Sequence, residues 1–196
     1  MRILLSCCIV FLFGCRPTQT DRYISDLKGG RIQPDTSFVY VLPYRQGKSH
    51  LLIQAYQSKM SHKGEYALDF KMKIGSEVCA AREGVVVAAR EDSDKGGLKD
   101  EYLSEGNHII IQHKDGSQGM YWHLMHDGVV VNIGDTVKAK QLIGYSGNTG
   151  YSAFPHLHFE VNANTKNGFT QVPTRFSTKN GVIYLRPGKY YKAVSN

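Results

Sequence analysis

Cysteine is scarce in this sequence, and its placement excludes a disulfide scaffold. The chain has 4 cysteines in 196 residues, and three of them (Cys7, Cys8 and Cys15) lie close to the N-terminus. The fourth, Cys79, stands alone in the apolar run 78–81, and a lone thiol cannot form an intramolecular disulfide. We therefore expect Cys79 to be a small buried residue, and we exclude cysteine chemistry as the function.

The N-terminal apolar run is too short to cross a bilayer as a permanent helix. It occupies residues 3–13, whereas a spanning helix needs roughly 20 apolar residues. Because the run follows the basic residue Arg2, it predicts a removable signal peptide over residues 1–14. Its end, Leu-Phe-Gly-Cys, resembles a bacterial lipobox, so we expect Cys15 to carry lipid and to anchor the chain in the cell envelope. An ordinary signal peptide with an incidental cysteine is the alternative.

Motifs typical of nucleic-acid binding are also absent, although the chain is basic. The formal net charge is +7 and the pI is about 9.2, and loss of residues 1–14 would remove only the charge of Arg2. A basic exported protein suits an anionic partner such as the bacterial cell wall or lipid headgroups. Because no basic helix or aromatic-basic motif accompanies this charge, we expect no nucleic-acid partner.

No long segment keeps helical periodicity, which argues against a helical fold. Short runs rich in Val, Ile and Tyr recur instead, separated by turn signals that contain glycine, asparagine or aspartate. We therefore expect an all-β domain, an antiparallel β sandwich or barrel-sandwich hybrid. The expected strands lie within residues 38–42, 51–56, 84–89, 108–113, 128–131, 157–161 and 181–185.

Two further patterns suggest how the chain is organised. Residues 15–36 are polar and contain glycine and proline, so we interpret them as a lipidated anchor and flexible tether ahead of one domain at 37–196. Within that domain, residues 74–80 and 133–139 share Ile, Gly, Val and Ala at equivalent positions. We predict internally duplicated hairpins from this similarity, with chance resemblance of two strand starts as the alternative.

A small set of histidines and one aspartate carries the chemistry. His156 and His158 are two residues apart, so on a strand they project from the same face. Upstream lie His62 and Asp69, and then His123. Catalytic zinc takes three protein ligands and leaves one position for water, and His62, Asp69 and His158 could supply those ligands. Taken singly, His62 is better explained as a surface histidine and Asp69 as a turn carboxylate.

Taken together, these motifs resemble the lysostaphin-type zinc metallopeptidases, which cut peptide cross-links in bacterial peptidoglycan. The resemblance runs from about residue 54 to 186. It includes the Gly-Asn-x-Ile-x-Ile-x-His strand at 106–113, the Tyr-Trp-His-Leu element at 121–124, the Gly-Asn-Thr-Gly turn at 147–150 and Pro-His-Leu-His-Phe-Glu at 155–160.

The resemblance implies a Zn²⁺ cofactor bound by His62, Asp69 and His158 in a surface groove of a small antiparallel β structure. His123 and His156 would stand beside the metal as catalytic residues. One would accept a proton from a metal-activated water, and the other would stabilise the oxyanion. The residues alone do not decide which does which.

The implied function is a zinc-dependent endopeptidase acting on peptidoglycan, lipid-anchored and facing the periplasm or cell wall. One alternative is a catalytically silent wall-binding module that activates another hydrolase; the complete ligand set favours the enzyme. Duplicated hairpins also suit carrier domains that bear a lipoyl or biotinyl group, but the expected export signal argues against them. Peptidoglycan peptide and the membrane are the expected partners, and the sequence does not decide whether a regulatory protein also binds.

Overall fold

The computed structural model describes residues 17, 19–29, 31, 32 and 39–194. The expected signal peptide and the proposed lipidation site Cys15 lie outside these residues. The described chain is nearly all β, with 45% of residues in strands and 7% in helix. Because most strand pairs are antiparallel, the structure confirms the fold class expected from the sequence.

The described elements follow one another as one α-helix, one 3-10 turn and seventeen strands. They are α1 (Gln19–Lys28), β1 (Val39–Tyr40), β2 (Ser49–Gln54), β3 (Ala67–Lys71), β4 (Glu77–Cys79), β5 (Gly84–Arg90), β6 (Gly96–Gly97), the 3-10 turn (Asp100–Tyr102), β7 (His108–Gln112), β8 (Gln118–Trp122), β9 (Leu124–Val129), β10 (Thr136–Val137), β11 (Leu142–Ser146), β12 (Gly150–Tyr151), β13 (His156–Thr165), β14 (Gly168–Gln171), β15 (Arg175–Thr178), β16 (Gly181–Ile183) and β17 (Lys189–Lys192).

The main sheet carries the candidate site at its centre. Its strand order is β10-β5-β7-β8-β13-β3-β2-β17, and β14 also pairs with β13. The central strand β13 pairs with β3 over residues 156–160 and with β8 over residues 158–162, so residues 158–160 have a partner strand on both sides. Alternation along β13 turns Leu157, Phe159 and Val161 into the core, and it therefore turns His156 and His158 to the opposite face.

The core side of β13 is held by an aromatic cluster. The ring of Phe159 lies 5.1 Å from that of Tyr121 and 5.9 Å from those of Tyr40 and Phe176, measured between centroids. These contacts are edge-to-face, the arrangement that aromatic quadrupoles favour. Tyr121 also accepts a hydrogen bond from the backbone N–H of Ala81 at 2.7 Å. The position of β13 is thus set by large, fully buried side chains directly behind the histidines.

The two similar segments have equivalent structures, but each pairs with the strand that follows the other copy. In the first, the N–H of Gly75 donates to Ser146 and the N–H of Ser146 donates to Ser76. In the second, the N–H of Gly134 donates to Val86, whose own N–H donates to Asp135. The predicted hairpins are therefore exchanged pairs, because β4 pairs with β11 whereas β10 pairs with β5.

Residues 19–28 form a helix where the sequence suggested a flexible tether. Ile24 is 0% exposed and Leu27 is 7% exposed; being three residues apart, they share one helix face. Tyr23 packs on Tyr66 with ring centroids 5.4 Å apart. This apolar face is short, so the sequence pattern alone did not indicate a helix. Its burial against the β domain shows that the segment is part of the folded structure. Across the described residues, no helix combines the length and apolar character needed to cross a membrane.

Candidate metal centre

Two strands and one loop bring together the three ligands expected from the sequence. Asp69 on β3 lies directly opposite His158 on β13 in the antiparallel register, and His62 lies in the loop between β2 and β3. The Nε2 atom of His62 lies 3.2 Å from one carboxylate oxygen of Asp69, and Nδ1 of His158 lies 3.0 Å from the other. Potential ligand atoms of all three residues lie within 4.8 Å of one another.

Surrounding groups orient these three side chains. The Nδ1 atom of His62 lies 3.1 Å from the carbonyl oxygen of Ala67, which directs Nε2 towards Asp69. Gln54 donates from Nε2 to the Asp69 carboxylate at 2.5 Å. On the far side, Glu160 lies 3.4 Å from Nε2 of His158 and accepts a hydrogen bond from a glutamine of β14. Such outer partners typically fix ring orientation and ligand basicity at metal sites.

The sequence did not indicate that Gln54 belongs to the site, because a β-bulge places its side chain there. In a regular antiparallel pairing of β2 with β3, Ile53 would face Asp69, because Leu52 faces Phe70. The register shifts between Leu52 and Gln54, so Gln54 faces Asp69 instead. Bulges beside functional sites commonly re-aim a side chain in this way. Nothing in the local sequence signals this bulge.

His123 and His156 lie beside the three ligands, and the rings of these two histidines are 4.6 Å apart between centroids. The Nδ1 atom of His123 lies 2.7 Å from the carbonyl oxygen of Thr149, and that of His156 lies 2.8 Å from the carbonyl oxygen of Phe154. A carbonyl accepts but cannot donate, so each Nδ1 carries a proton. In the neutral rings the Nε2 atoms are therefore acceptors.

The backbone at His123 adopts a left-handed conformation with φ of 64°. This region is uncommon for a residue with a Cβ atom and costs of order 1–3 kcal/mol. The turn at Gly147 stabilises it, because the Gly147 N–H donates to the His123 carbonyl at 2.8 Å. A Cβ atom on Gly147 would collide with the backbone of Met125. The Gly-Asn-Thr-Gly turn thus supplies both the space and the Thr149 carbonyl that hold His123.

A second group of three potential ligands shares His158 with the first. His123, His156 and His158 also have ligand atoms within 4.8 Å of one another. The two groups differ in charge, because only the first contains a carboxylate, Asp69. The structure therefore brings all five residues predicted from the sequence into one site.

The charge balance of the site calls for a cation. Burial raises the pKa of Asp69, but hydrogen bonds from His158 and His62 outweigh burial and hold this pKa well below its ordinary value. Burial lowers the pKa of His158, yet its bonds to Asp69 and Glu160 prevail and raise the pKa to about 10. A proton on His158 thus supplies, in the metal-free protein, a positive charge between the buried carboxylate of Asp69 and the partly buried one of Glu160. Two imidazoles and a carboxylate are also donors that suit Zn²⁺.

The other two histidines have the opposite electrostatic setting. Burial, with the nearby imidazoles of His156 and His158, lowers the pKa of His123 to about 3. Burial also lowers the pKa of His156, against the raising effect of the Asp69 charge. Both rings are therefore neutral near pH 7, with their Nε2 lone pairs available.

These residues line an open groove of about 530 Å³, as the sequence resemblance implied. Its walls include large apolar side chains that are exposed to solvent: Met60, Leu98, Leu103 and Tyr151. Trp122 also lines the groove and packs on His108, with ring centroids 4.4 Å apart. A cluster of exposed apolar side chains beside buried polar groups is typical of a ligand-binding groove.

Comparison with known proteins agrees with this geometry. Glycyl-glycine endopeptidase ALE-1 of Staphylococcus capitis is 37% identical over 144 residues, which cover 66% of this chain and 37% of that protein. Peptidoglycan DD-endopeptidase ShyA of Vibrio cholerae is 38% identical over 93 residues, covering 47% of this chain and 19% of ShyA. The chain thus corresponds to well under half the length of these curated relatives.

A solved structure shares the fold. The catalytic domain of the prophage-encoded M23 protein EnpA from Enterococcus faecalis superposes with a TM-score of 0.50 at 25% identity. The superposition covers 67% of this chain and 93% of that domain.

The family model for peptidase family M23 matches residues 62–169, more than half of the chain. The match includes His62, Asp69, His123, His156 and His158. M23 metallopeptidases are zinc enzymes, and the donor set of the groove fits that metal. The resemblance expected from the sequence motifs is confirmed at the level of the family: the chain belongs to peptidase family M23.

Proposed function

We propose that this protein is a zinc-dependent endopeptidase that hydrolyses peptide cross-links of bacterial peptidoglycan. The observation that carries the proposal is the convergence of one buried imidazole, one partly buried imidazole and a buried carboxylate, within 4.8 Å of one another, beside a second histidine pair in an open groove. The names of ALE-1 and ShyA, one a glycyl-glycine and one a peptidoglycan DD-endopeptidase, support an activity of this kind.

In this proposal His62, Asp69 and His158 hold the zinc. This set is preferred over the three-histidine group because Asp69 supplies a negative charge that a dication offsets, and because Gln54 and Ala67 already orient its members. When bound, zinc polarises a carbonyl group as a Lewis acid and acidifies water. The remaining chemistry, which is proton transfer and orientation, falls to the side chains of this chain.

His123 and His156 act as the proton-transfer pair. Their Nδ1 atoms are occupied by the carbonyls of Thr149 and Phe154, so each neutral ring can accept a proton only at Nε2. The ring that takes a proton from the attacking water becomes an imidazolium. Its N–H can then stabilise negative charge on the scissile carbonyl oxygen or pass the proton to the leaving amine.

Metal analysis and product analysis of the purified protein test the proposal. We expect about one zinc per chain, and digestion of purified peptidoglycan should release peptides cut at a cross-link, as seen by mass spectrometry. Chelation should stop the release, and added zinc should restore it. A protein that holds zinc and binds peptidoglycan but releases no peptide would instead support the catalytically silent wall-binding module.

We also propose that Cys15 is lipidated and keeps the domain at the cell envelope. The lipobox-like sequence before Cys15 and the cell-wall substrate of the relative ShyA support this location. The native protein should carry a mass increase of a lipid at its processed N-terminus and should fractionate with membranes. Cys15→Ala should shift it to the soluble fraction. Unaltered membrane association of Cys15→Ala would contradict the anchor.

A further inference from the structure

A second and larger cavity lies next to the catalytic groove. Its volume is about 690 Å³, and it contains none of the five site residues. Five of its lining side chains are basic or can become so, and one is acidic: Arg45, Lys48, His50, Lys71, Lys73 and Glu77.

The acidic side chain neutralises only one of these cations. Both carboxylate oxygens of Glu77 lie 2.8 Å from Nη1 of Arg45, so these two charges compensate each other. Within the described residues, Lys48, Lys71 and Lys73 form no ion pair with a carboxylate. The cavity therefore holds three ammonium charges in excess. Its apolar surfaces, which include Leu51 and Met72, reduce the screening of these charges by water.

Lys71 connects this basic cavity to the catalytic groove. It lies on β3 two residues after Asp69, on the same face of the sheet and about 7 Å further along the strand. In the sheet it is directly opposite His156. Its ammonium nitrogen lies 5.6 Å from the centroid of the Phe154 ring, which lines the catalytic groove. Lys71 and Phe154 thus form the shared border of the two cavities.

We propose that the basic cavity is a substrate subsite that binds a carboxylate of the cross-linked peptide, about two residues from the bond that is cut. This inference rests on the proposed endopeptidase function. An extended peptide rises about 3.3 Å per residue, so a substrate at Asp69 reaches Lys71 within about two residues. Ionised carboxylates are the anions that a peptide in this groove brings there, and lysine binds them as a mobile point charge. The subsite would select for free carboxylates and against amidated ones.

A pair of substrates that differ only in charge tests the subsite. One is a cross-linked peptide prepared from peptidoglycan, and the other is the same preparation with its carboxyl groups converted to amides. We expect kcat/KM of the unaltered protein to be about fivefold higher for the charged substrate, with the difference in KM. High salt should reduce this preference, because it screens exposed charges.

The lysines are tested by the double variant Lys71→Gln, Lys73→Gln and by Lys73→Gln alone. The double variant should lower the preference ratio to about one, and the single variant should lower it in part. Lys114→Gln is the matched control, because Lys114 is an exposed lysine in the turn between β7 and β8 and borders neither cavity. It should keep the full preference. Zinc content measured for every variant establishes that the neighbouring site is intact.

Three results would overturn the subsite. They are an unaltered protein without the preference, a double variant that keeps it, and a Lys114→Gln variant that loses it to the same extent. Competitive inhibition by a soluble phosphodiester polymer, without any effect of amidation, would assign the cavity to another anion and also refute a carboxylate subsite. If neither substrate is cut, the endopeptidase proposal fails separately. Calorimetric binding of the two substrates then still tests the subsite, because it predicts about fivefold weaker binding of the amidated one.

Discussion

At the scale of single residues, backbone carbonyls determine the chemistry of the site. The rings of His62, His123 and His156 each direct Nδ1 at a carbonyl oxygen, 2.7–3.1 Å away. This fixes one tautomer in all three and leaves Nε2 for a metal or a proton. His158 differs, because its two nitrogens face the carboxylates of Asp69 and Glu160. The same residue type thus has distinct roles through its neighbours.

The division of roles between His158 and His123 is directly testable. His158→Ala removes a proposed ligand, so zinc content and peptidoglycan hydrolysis should be lost together. His123→Ala should retain zinc while hydrolysis falls by about 10²–10⁴-fold, the usual contribution of a positioned acid–base group. Metal content by mass spectrometry and initial rates on purified peptidoglycan measure both. Loss of zinc from His123→Ala would reverse the assignment in favour of the three-histidine group.

Gln54 offers a second test at this scale. Gln54→Ala removes the hydrogen bond to Asp69 without removing a proposed ligand, so we expect zinc affinity to fall by about 10–100-fold. Competition with a chelator of known affinity measures this change. Gln112→Ala, an exposed glutamine of β7 far from the ligands in the sheet, is a matched control that should bind zinc as the unaltered protein does. Equal affinities for both variants would contradict an orienting role for Gln54.

The charge of His158 predicts how zinc binding depends on pH. In the metal-free protein the pKa of His158 is raised to about 10, so its ring is protonated at pH 7. A ligand nitrogen must lose its proton, so zinc binding at pH 7 should release about one proton from this residue. Apparent affinity should therefore rise with pH up to about 10. Calorimetry in buffers with different ionisation enthalpies counts the protons released, and a count of zero would contradict this linkage.

At the scale of elements, β13 links the core to the site. Odd positions such as Phe159 pack in the aromatic cluster, whereas His156 and His158 face the groove. Because successive side chains of a β-strand point to opposite faces, β13 contributes both to the core and to the groove. The neighbouring strand β3 carries Asp69, and β8 on the other side ends directly before His123. Displacement of β13 would therefore separate the ligands from one another.

Truncation of Phe159 tests this dependence. Phe159→Ala removes a fully buried ring, so the free energy of unfolding should fall by about 3–5 kcal/mol. Urea denaturation of the metal-free protein measures the loss. Tyr190→Ala, at an aromatic residue that is 71% exposed, serves as the control and should change stability by less than about 0.5 kcal/mol. A small effect at Phe159 would mean that β13 is held mainly by its hydrogen bonds.

At the scale of the whole molecule, the exchanged pairing of the two similar segments joins parts of the chain that are distant in sequence. Each glycine turn bonds to the strand that follows the other copy, so neither segment completes its pairing locally. Helix α1 adds a further long-range contact, because Arg186 donates to Asp21 at 3.2 Å across 165 positions of sequence. The site is therefore assembled from segments held by distant contacts rather than by local hairpins alone.

What the sequence by itself determined was local. Short runs rich in β-favouring residues, separated by glycine-containing turns, predicted the β fold. The resemblance of several ordered motifs to a known family implied which residues meet at the site. Each of these signals lies within one segment of the chain, in its side-chain pattern or its donor residues. Burial of Cys79 was predicted on the same basis and is confirmed.

Only the tertiary structure decided the register of the strands and which segments pair with one another. The bulge that turns Gln54 to Asp69, the carbonyls that orient the histidine rings and the exchange of the similar segments all depend on which strands meet. The burial of helix α1 and the placement of Lys71 beside the groove depend on it too. Strand pairing gains its free energy from contacts distant in sequence, so no local pattern specifies it.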